Sequence, residues 1–168
     1  LHATRTNLGP IRSDVNVVQD LAIHEFSIFN MLFDSVPEWV SASGSRALGN
    51  AREDVAFISM QYPGKVLAHA HASWLHPQKI RTLTLVGDKK MVFWDDLDPM
   101  GPVKCYDRRV VPHYFYETFG EFYLLAKEGN ITIPKIDLTE PLKTQDAHFL
   151  DCVIRRKQPL ANAKSGLD

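Results

Sequence analysis

The chain has 168 residues and a nearly balanced charge, with 19 basic and 20 acidic side chains and a formal net charge of -1. Its length suits one domain with a sizeable core, and a pI near 6.7 gives no basic footprint for nucleic acid. No apolar run is long enough to cross a bilayer, and Cys105 and Cys152 match no disulfide or metal spacing, which indicates reduced thiols in a cytoplasmic protein.

The first half of the chain predicts a strand, a helix and then a series of hairpins. Residues 3–7 alternate as a short strand that Gly9-Pro10 ends. Residues 14–33 predict a helix that is apolar on nearly every side and therefore buried. Pro37 stops that helix, and a strand over 38–42 leads into a Gly/Ser-rich turn at 43–50. Further strands are predicted at 53–62, 66–75, 79–86 and 91–95, with Pro63-Gly64 as the turn of the first hairpin.

The second half predicts fewer elements. Strands are expected at 103–108 and 131–138, whereas the aromatic-rich stretch 113–125 has no clear assignment. Thr139-Glu140-Pro141 opens a helix, since proline is tolerated in a first helical turn. The apolar face of that helix comprises Leu142, Phe149, Leu150 and Val153. Tight turns favour antiparallel pairing, so the fold class is α+β, with a large, mostly antiparallel open-faced sheet and helices on one face.

The predicted helix over 14–33 carries a polar stripe. Asp20 and His24 are four residues apart, so a regular helix places them on one face, in line with Asn16 and Ser27. A buried carboxylate and a buried imidazole need compensation, because an unpaired buried charge is costly. Either the two side chains satisfy each other in a structural role, or the stripe lines a cleft.

Other polar residues allow two interpretations each. Arg12 and Asn7 either cap and close a loop or hydrogen-bond a substrate, with Arg12 as a planar bidentate clamp. Lys79 and Arg81 share a strand face and either bind anionic substrate groups or form a solvated surface. Trp74 suits packing in the sheet better than stacking on a sugar ring.

The strand over 66–75 has two different faces. Alanines on the first face would let a helix lie close, whereas the second face is mixed and carries His69 and His71. Alternating histidines, with His76 nearby, raise a zinc hypothesis, but no cysteine or carboxylate lies at a supporting spacing. An exposed mixed face of this size is typical of an interface, which is the preferred interpretation.

An ordered set of motifs covers essentially the whole chain. The set comprises Asn7-Leu-Gly-Pro-Ile-Arg12, Asp20-Leu-Ala-Ile-His24-Glu, Glu53-Asp-Val-Ala-Phe, Ser73-Trp-Leu-His-Pro-Gln-Lys79-Ile-Arg81, Glu140-Pro-Leu with His148-Phe-Leu-Asp-Cys152, and Arg156-Lys-Gln-Pro-Leu. This set resembles the C-terminal domain of the Gfo/Idh/MocA family of NAD(P)-dependent sugar oxidoreductases. Within the family the chain looks closest to enzymes that act on nucleotide-linked or uronic sugars.

The resemblance implies a division of labour between two domains. Residues 1–168 would form a substrate-binding and oligomerisation domain, cut from a longer chain that begins with a dinucleotide-binding domain. The sequence contains no G-x-G-x-x-G after a strand and lacks the family's Glu-Lys-Pro segment with its catalytic lysine. NAD or NADP would be bound mainly by the absent domain, so this chain alone is expected to be inactive.

The resemblance also implies roles for the polar stripe. His24 would be the acid/base that takes the hydroxyl proton of a sugar, and Asp20 would orient the sugar or the imidazole. An imidazole titrates near neutral pH and can accept and return a proton. The open sheet face would join two or four copies in a homo-oligomer, with no nucleic-acid or membrane partner. The rival hypothesis is a non-catalytic module that keeps the fold for assembly or ligand sensing.

Overall fold

The computed structural model describes residues 1–49, 51–107, 129–137 and 139–167. The unassigned stretch 113–125 lies outside the described residues, as do the last residues of the predicted strands over 103–108 and 131–138. The chain divides into two compact units, Leu1–Lys135 and Ile136–Asp168.

The described residues of the first unit form one open sheet of eight strands, arranged in the order β2-β3-β4-β1-β5-β6-β7-β8. Every neighbouring pair is antiparallel except β1 and β4, which run parallel. The mostly antiparallel, open-faced sheet expected from the sequence is therefore confirmed. The strands are β1 His2–Leu8, β2 Trp39–Ser45, β3 Val55–Tyr62, β4 Val66–Ser73, β5 Leu75–Val86, β6 Met91–Asp95, β7 Val103–Tyr106 and β8 Ile131–Thr132.

The position of β1 departs from a simple succession of hairpins. β4 and β5 follow each other with only Trp74 between them, yet β1 lies between them in the sheet. The register places Ser73 beside Thr6 and Leu75 beside Leu8, so the chain crosses the end of β1 at Trp74. The sequence order predicts that β4 and β5 pair with each other, and it does not predict that β1, from the start of the chain, lies between them.

The predicted long helix is in fact two segments. A π-helical turn, Val18–Ala22, leads into α1, Ile23–Phe33, which ends where Asp34 adopts a left-handed φ of 46°. Val17, Ala22 and Phe29 are fully buried, whereas Met31 is 73% exposed. The expectation that the helix is buried on nearly every side is therefore wrong, because one sheet covers only one side of a helix.

Small residues on the sheet let α1 and the π-helical turn pack closely against it. The buried core joins Val17, Ala22 and Phe29 to the sheet side chains of one face. Those side chains are Ala3 of β1, Ala56, Ile58, Met60 and Tyr62 of β3, Ala68, Ala70 and Ala72 of β4, Leu83 of β5, and Trp74 between β4 and β5. The alanine face of β4 has the role predicted for it, and Trp74 is a packing residue of this core.

No helix among the described residues of the first unit packs on the other side of the sheet. We call it the open face, and define it by Phe57 and Ser59 of β3, His69 and His71 of β4, and His2 and Thr4 of β1. These side chains alternate with the core residues of the same strands and pair in register across them. Phe57 is 47% exposed on this face, although it lies between the buried residues Ala56 and Ile58.

The second unit contains one helix, α2, which spans Pro141–Arg155. The Glu140 carboxylate accepts hydrogen bonds from the backbone N–H groups of Leu142 and Lys143, which caps the helix N-terminus. Proline in the first turn is confirmed. The predicted strand over 131–138 is shorter than expected, since only Ile131–Thr132 pairs with β7.

Candidate functional site

Asp20 is held by contacts to both of its carboxylate oxygens. The indole Nε1 of Trp74 donates to Oδ2 at 2.9 Å, and Nη1 of Arg12 lies 3.3 Å from Oδ1. Trp74 is almost fully buried at the crossing between β4 and β5. The sheet core therefore fixes one oxygen of Asp20 while the preceding loop neutralises the other. This use of the Trp74 ring nitrogen is invisible in the sequence, where the residue signals only packing.

The π-helical turn changes the geometry of the predicted stripe. The backbone N–H of Ile23 bonds to the carbonyl of Val18, five residues earlier, so the four-residue spacing of a regular helix does not apply here. Asp20 and His24 make no hydrogen bond or ion pair with each other among the described contacts. His24 is exposed at the start of α1. The interpretation of the two as a mutually satisfied buried pair is therefore wrong.

Arg12 closes the loop before the π-helical turn. Its Nη2 lies 2.6 Å from Oδ2 of Asp14 and its Nε lies 3.0 Å from Oδ1 of the same residue. This hydrogen bonding by Arg12 lowers the pKa of the Asp14 carboxyl to about 2 and raises the pKa of the guanidinium. Arg12 makes its planar bidentate contact with Asp14, which agrees with the loop-closing interpretation, and its contact with a substrate stays a prediction.

Asn7 lies at the end of β1 and folds over the turn that follows. Its Oδ1 is buried without a hydrogen-bond partner among the described residues. A Cβ atom on Gly9 would lie 2.6 Å from the Asn7 Nδ2, so a larger residue there would push the Asn7 side chain aside. A buried acceptor without a donor is costly, which makes Asn7 the strongest single candidate for hydrogen bonding to a bound molecule.

A buried ion pair lies beside these residues, and sequence reasoning missed it. The guanidinium of Arg5 contacts the carboxylate of Glu25 at 2.5 Å, and their side chains are only 11% and 3% exposed. Arg5 precedes Asn7 by two residues on β1, and Glu25 directly follows His24 on α1. The available signal was weak: an arginine inside a strand and a glutamate inside an apolar helix.

The two basic residues of β5 that were predicted to bind substrate have different surroundings. Arg81 pairs in register with Arg5 across the sheet, and its Nη1 lies 3.2 Å from Oδ2 of Asp96. Lys79 is exposed and makes no ion pair among the described residues. The structure thus brings Arg12 to Asp20 and Arg81 to the strand of Asn7, and it leaves Lys79 on the surface.

A small cleft opens next to Arg12. Its volume is about 170 Å³, and it is lined by Ile11, Arg12, Ser13, Ala51 and Arg52. The Nε of Arg52 donates to the Ser13 carbonyl at 3.1 Å, which joins the two walls. Two guanidinium groups face this cleft, although Asp14 and Asp20 balance one of them.

The zinc hypothesis receives no support from the part of the chain that the structure describes. There, no group of three or more histidine, cysteine, aspartate or glutamate side chains is arranged to hold a metal ion. Cys105 and Cys152 are both free thiols. None of the helices described is long and apolar enough to cross a membrane.

Comparison with known proteins gives a family and a set of similar folds. Residues 10–93 match the family model described as the GFO/IDH/MocA C-terminal domain. No curated protein matches the chain by sequence.

Three solved structures illustrate the likeness in fold. The UDP-N-acetylglucosamine 3-dehydrogenase GnnA from Acidithiobacillus ferrooxidans is 19% identical with a TM-score of 0.80, over 98% of this chain and 49% of that one. The aldose-aldose oxidoreductase from Caulobacter crescentus, complexed with glycerol, is 13% identical with a TM-score of 0.72, over 99% and 48%. An inositol dehydrogenase homolog from Azotobacter vinelandii, complexed with NADH and myo-inositol, is 15% identical with a TM-score of 0.52, over 62% and 31%. The chain spans about half the length of the first two.

Proposed function

Because the chain belongs to the GFO/IDH/MocA C-terminal domain family, as its motifs predicted, we propose that it is the substrate-binding and catalytic half of an NAD(P)-dependent sugar dehydrogenase. The substrate would be a sugar with a secondary alcohol, and nucleotide-linked or uronic sugars are the preferred class. A nucleotide-sugar dehydrogenase and a sugar oxidoreductase among the similar folds support this class.

One observation carries the proposal: a fixed carboxylate lies close in sequence to an unengaged imidazole. Trp74 and Arg12 hold Asp20, whereas His24 is exposed and has no partner among the described residues. A general base needs a free nitrogen that can reach the substrate hydroxyl. A buried imidazole locked onto Asp20 would not offer one, so the arrangement suits catalysis better than a structural pair.

The family resemblance implies the proposed roles, and this geometry is compatible with them. His24 accepts the proton of the sugar hydroxyl as the carbinol carbon loses hydride, which leaves a keto sugar and an imidazolium. Asp20 orients the sugar or the imidazole. Asn7 and Arg12 hydrogen-bond the sugar, and Arg81 and Lys79 bind anionic groups such as a phosphate or a uronate.

The hydride acceptor is NAD or NADP, which supplies only the redox chemistry. This sequence has no G-x-G-x-x-G motif to cradle a dinucleotide. The proposal therefore places the cofactor mainly on a domain outside this chain. A cytoplasmic setting is part of the proposal, and two free cysteines support it.

The open face is proposed to pair with the same face of a second copy. By register, β1 to β5 present serine, threonine, glutamine, aromatic, histidine and aliphatic side chains there, without a lysine, arginine, aspartate or glutamate among the described residues. A face without fixed charge can meet its own copy without repulsion. With strands about 4.8 Å apart and a rise of about 3.3 Å per residue, the sheet offers on the order of 700 Å², close to the roughly 800 Å² that each partner buries in a stable complex.

The function is tested by sugar-dependent reduction of NAD or NADP. The full-length protein and the 168-residue chain are each incubated with either cofactor and a panel of UDP-linked sugars, uronic acids and free aldoses. Absorbance of the reduced nicotinamide is expected to rise with the full-length protein and at least one sugar, and not with the chain alone. Turnover by the isolated chain would contradict the division of labour, and no turnover with any sugar would contradict the activity.

A further inference from the structure

The open face carries a cluster of stacked histidines. The rings of His2 and His69 lie 5.4 Å apart with an interplanar angle of 9°, and His71 stacks on Phe57 at 4.4 Å. Phe57 also stacks on His69 at 6.4 Å. We call His2, His69 and His71 the histidine cluster. It joins strands β1, β3 and β4 near the centre of the open face.

Hydroxyl groups contact two of these rings. Oγ of Ser59 lies 3.2 Å from Nδ1 of His69, and Oγ1 of Thr4 lies 3.2 Å from Nε2 of His2. A hydroxyl can donate to a neutral imidazole nitrogen or accept from a protonated one, but it supplies no negative charge. These contacts therefore orient the rings without supplying a counter-charge for a proton on them.

Among the described residues, no carboxylate of β1 to β5 faces the cluster. In the 168-residue chain used for the test, the α-amino group of Leu1, which precedes β1, adjoins His2 and donates to the Leu67 carbonyl. On β5 His76 is close enough to lower the pKa of His71. Neither β2 nor β3 contributes a titratable group to this face among the described residues. By register, Asp95 of β6 and Lys104 of β7 are the next charged groups, and both lie beyond β5.

This setting favours the neutral form of the His2 and His71 rings. Burial lowers the pKa of His2 and of His71 from the ordinary value of 6.5, and repulsion from the neighbouring histidines lowers both further. A second copy laid over the face would remove more water from the rings, which disfavours their charged form again. The paired state therefore binds fewer protons than two separate chains. By linkage, pairing is strongest above the imidazole pKa of the separate chains, which lies below the ordinary value, and it weakens as the pH falls through that pKa.

We propose that the histidine cluster makes the pairing of two copies through the open face a proton-controlled association, stable with neutral imidazoles and lost when they are protonated. This inference rests on the pairing put forward under the proposed function. Each pair would bring two clusters together, so protonation places several like charges in one dry interface.

The test follows the mass of the 168-residue chain in solution by light scattering after size exclusion, at about pH 8 and about pH 5.5, on either side of the ordinary imidazole pKa. A dimer is expected at the higher pH and a monomer at the lower one, with an unchanged circular dichroism spectrum. The dissociation constant is expected to rise about tenfold or more, since one unit of pKa difference is tenfold.

Variants test whether the histidine cluster causes the change from dimer to monomer between the two pH values. His69→Gln/His71→Gln cannot be protonated at these positions and is expected to stay dimeric at the lower pH. His2→Gln changes one ring at the edge of the cluster and is expected to weaken the pH dependence of the dimer in part. This single variant tests the cluster even if the double variant fails to fold. His24→Gln, which replaces an exposed histidine on α1, is expected to keep the full response.

The outcomes separate this inference from the pairing itself. A dimer at both pH values would overturn proton control and leave the pairing intact. A monomer at both would overturn the pairing and this inference together. An equal loss of dimer in the wild type and in His69→Gln/His71→Gln would overturn the assignment to the histidine cluster.

Discussion

Replacing Glu25 with leucine is expected to lower the free energy of unfolding by about 3–5 kcal/mol, because it leaves the buried guanidinium of Arg5 without its partner. The Arg5 and Glu25 side chains are 11% and 3% exposed, so water cannot compensate either charge. The measurement is urea unfolding of the 168-residue chain, followed by circular dichroism.

Two further variants distinguish a lost partner from lost packing. The double variant Arg5→Met/Glu25→Leu removes both charges and is expected to recover most of the stability, since apolar replacement of a whole buried pair is often neutral. Arg81→Met breaks a pair in which both side chains are 38% exposed, and it is expected to cost about 0–1 kcal/mol. An unchanged unfolding midpoint for Glu25→Leu would mean that water reaches Arg5.

Replacing His24 with asparagine in the full-length protein is expected to lower kcat by about 10²–10⁴-fold, the usual contribution of a positioned acid/base. Asparagine keeps a polar side chain of similar size but cannot take the hydroxyl proton. His24 is exposed and makes no hydrogen bond among the described residues, so the fold and KM are expected to change little. The measurement is steady-state reduction of the nicotinamide with the best sugar of the panel.

Ser27→Ala provides the matched control for this variant. Ser27 is exposed on α1 one turn after His24, and its replacement is expected to leave both kcat and thermal stability unchanged. Equal kcat values for His24→Asn and the wild type would remove His24 from the reaction.

The local sequence pattern was sufficient to predict most of the strands. The Pro63-Gly64 turn fixes the hairpin of β3 and β4, since Gly64 has a φ of 76° that favours glycine. The alternation of Ala68, Ala70 and Ala72 with His69 and His71 gave both faces of β4 correctly. These features depend on residues close together in sequence, and a sequence pattern reports them directly.

Long-range pairing and local departures from regular helix were not predictable in the same way. The insertion of β1 beside β4 depends on contacts between residues 2–6 and 69–73, which no local pattern encodes. The π-helical turn at Val18–Ala22 removes the regular spacing on which the stripe argument depended. Strand β2 continues to Ser45 through residues that read as a Gly/Ser turn, because pairing with β3 outweighs their weak strand propensity.

In the candidate site too, the residues could be predicted from local sequence, whereas their long-range contacts could not. The sequence selected Asp20, His24, Arg12 and Asn7, and the structure brings Arg12 to Asp20. The sequence could not predict which residues these side chains contact, since Trp74 is 54 residues from Asp20 and Arg5 is 20 residues from Glu25. The types of the polar residues indicated a role in a site, whereas the contacts that hold them in place depend on the tertiary fold.

The most direct test of the central claim is the fate of the carbinol hydrogen. The full-length protein is incubated with NAD or NADP and the best sugar of the panel, deuterated at its ring carbons, and the reduced cofactor is analysed by mass spectrometry. A sugar dehydrogenase is predicted to transfer deuterium to the nicotinamide, in the wild type and much more slowly in His24→Asn. A folded full-length protein that binds cofactor but transfers no deuterium from any sugar would contradict the account and favour a non-catalytic module.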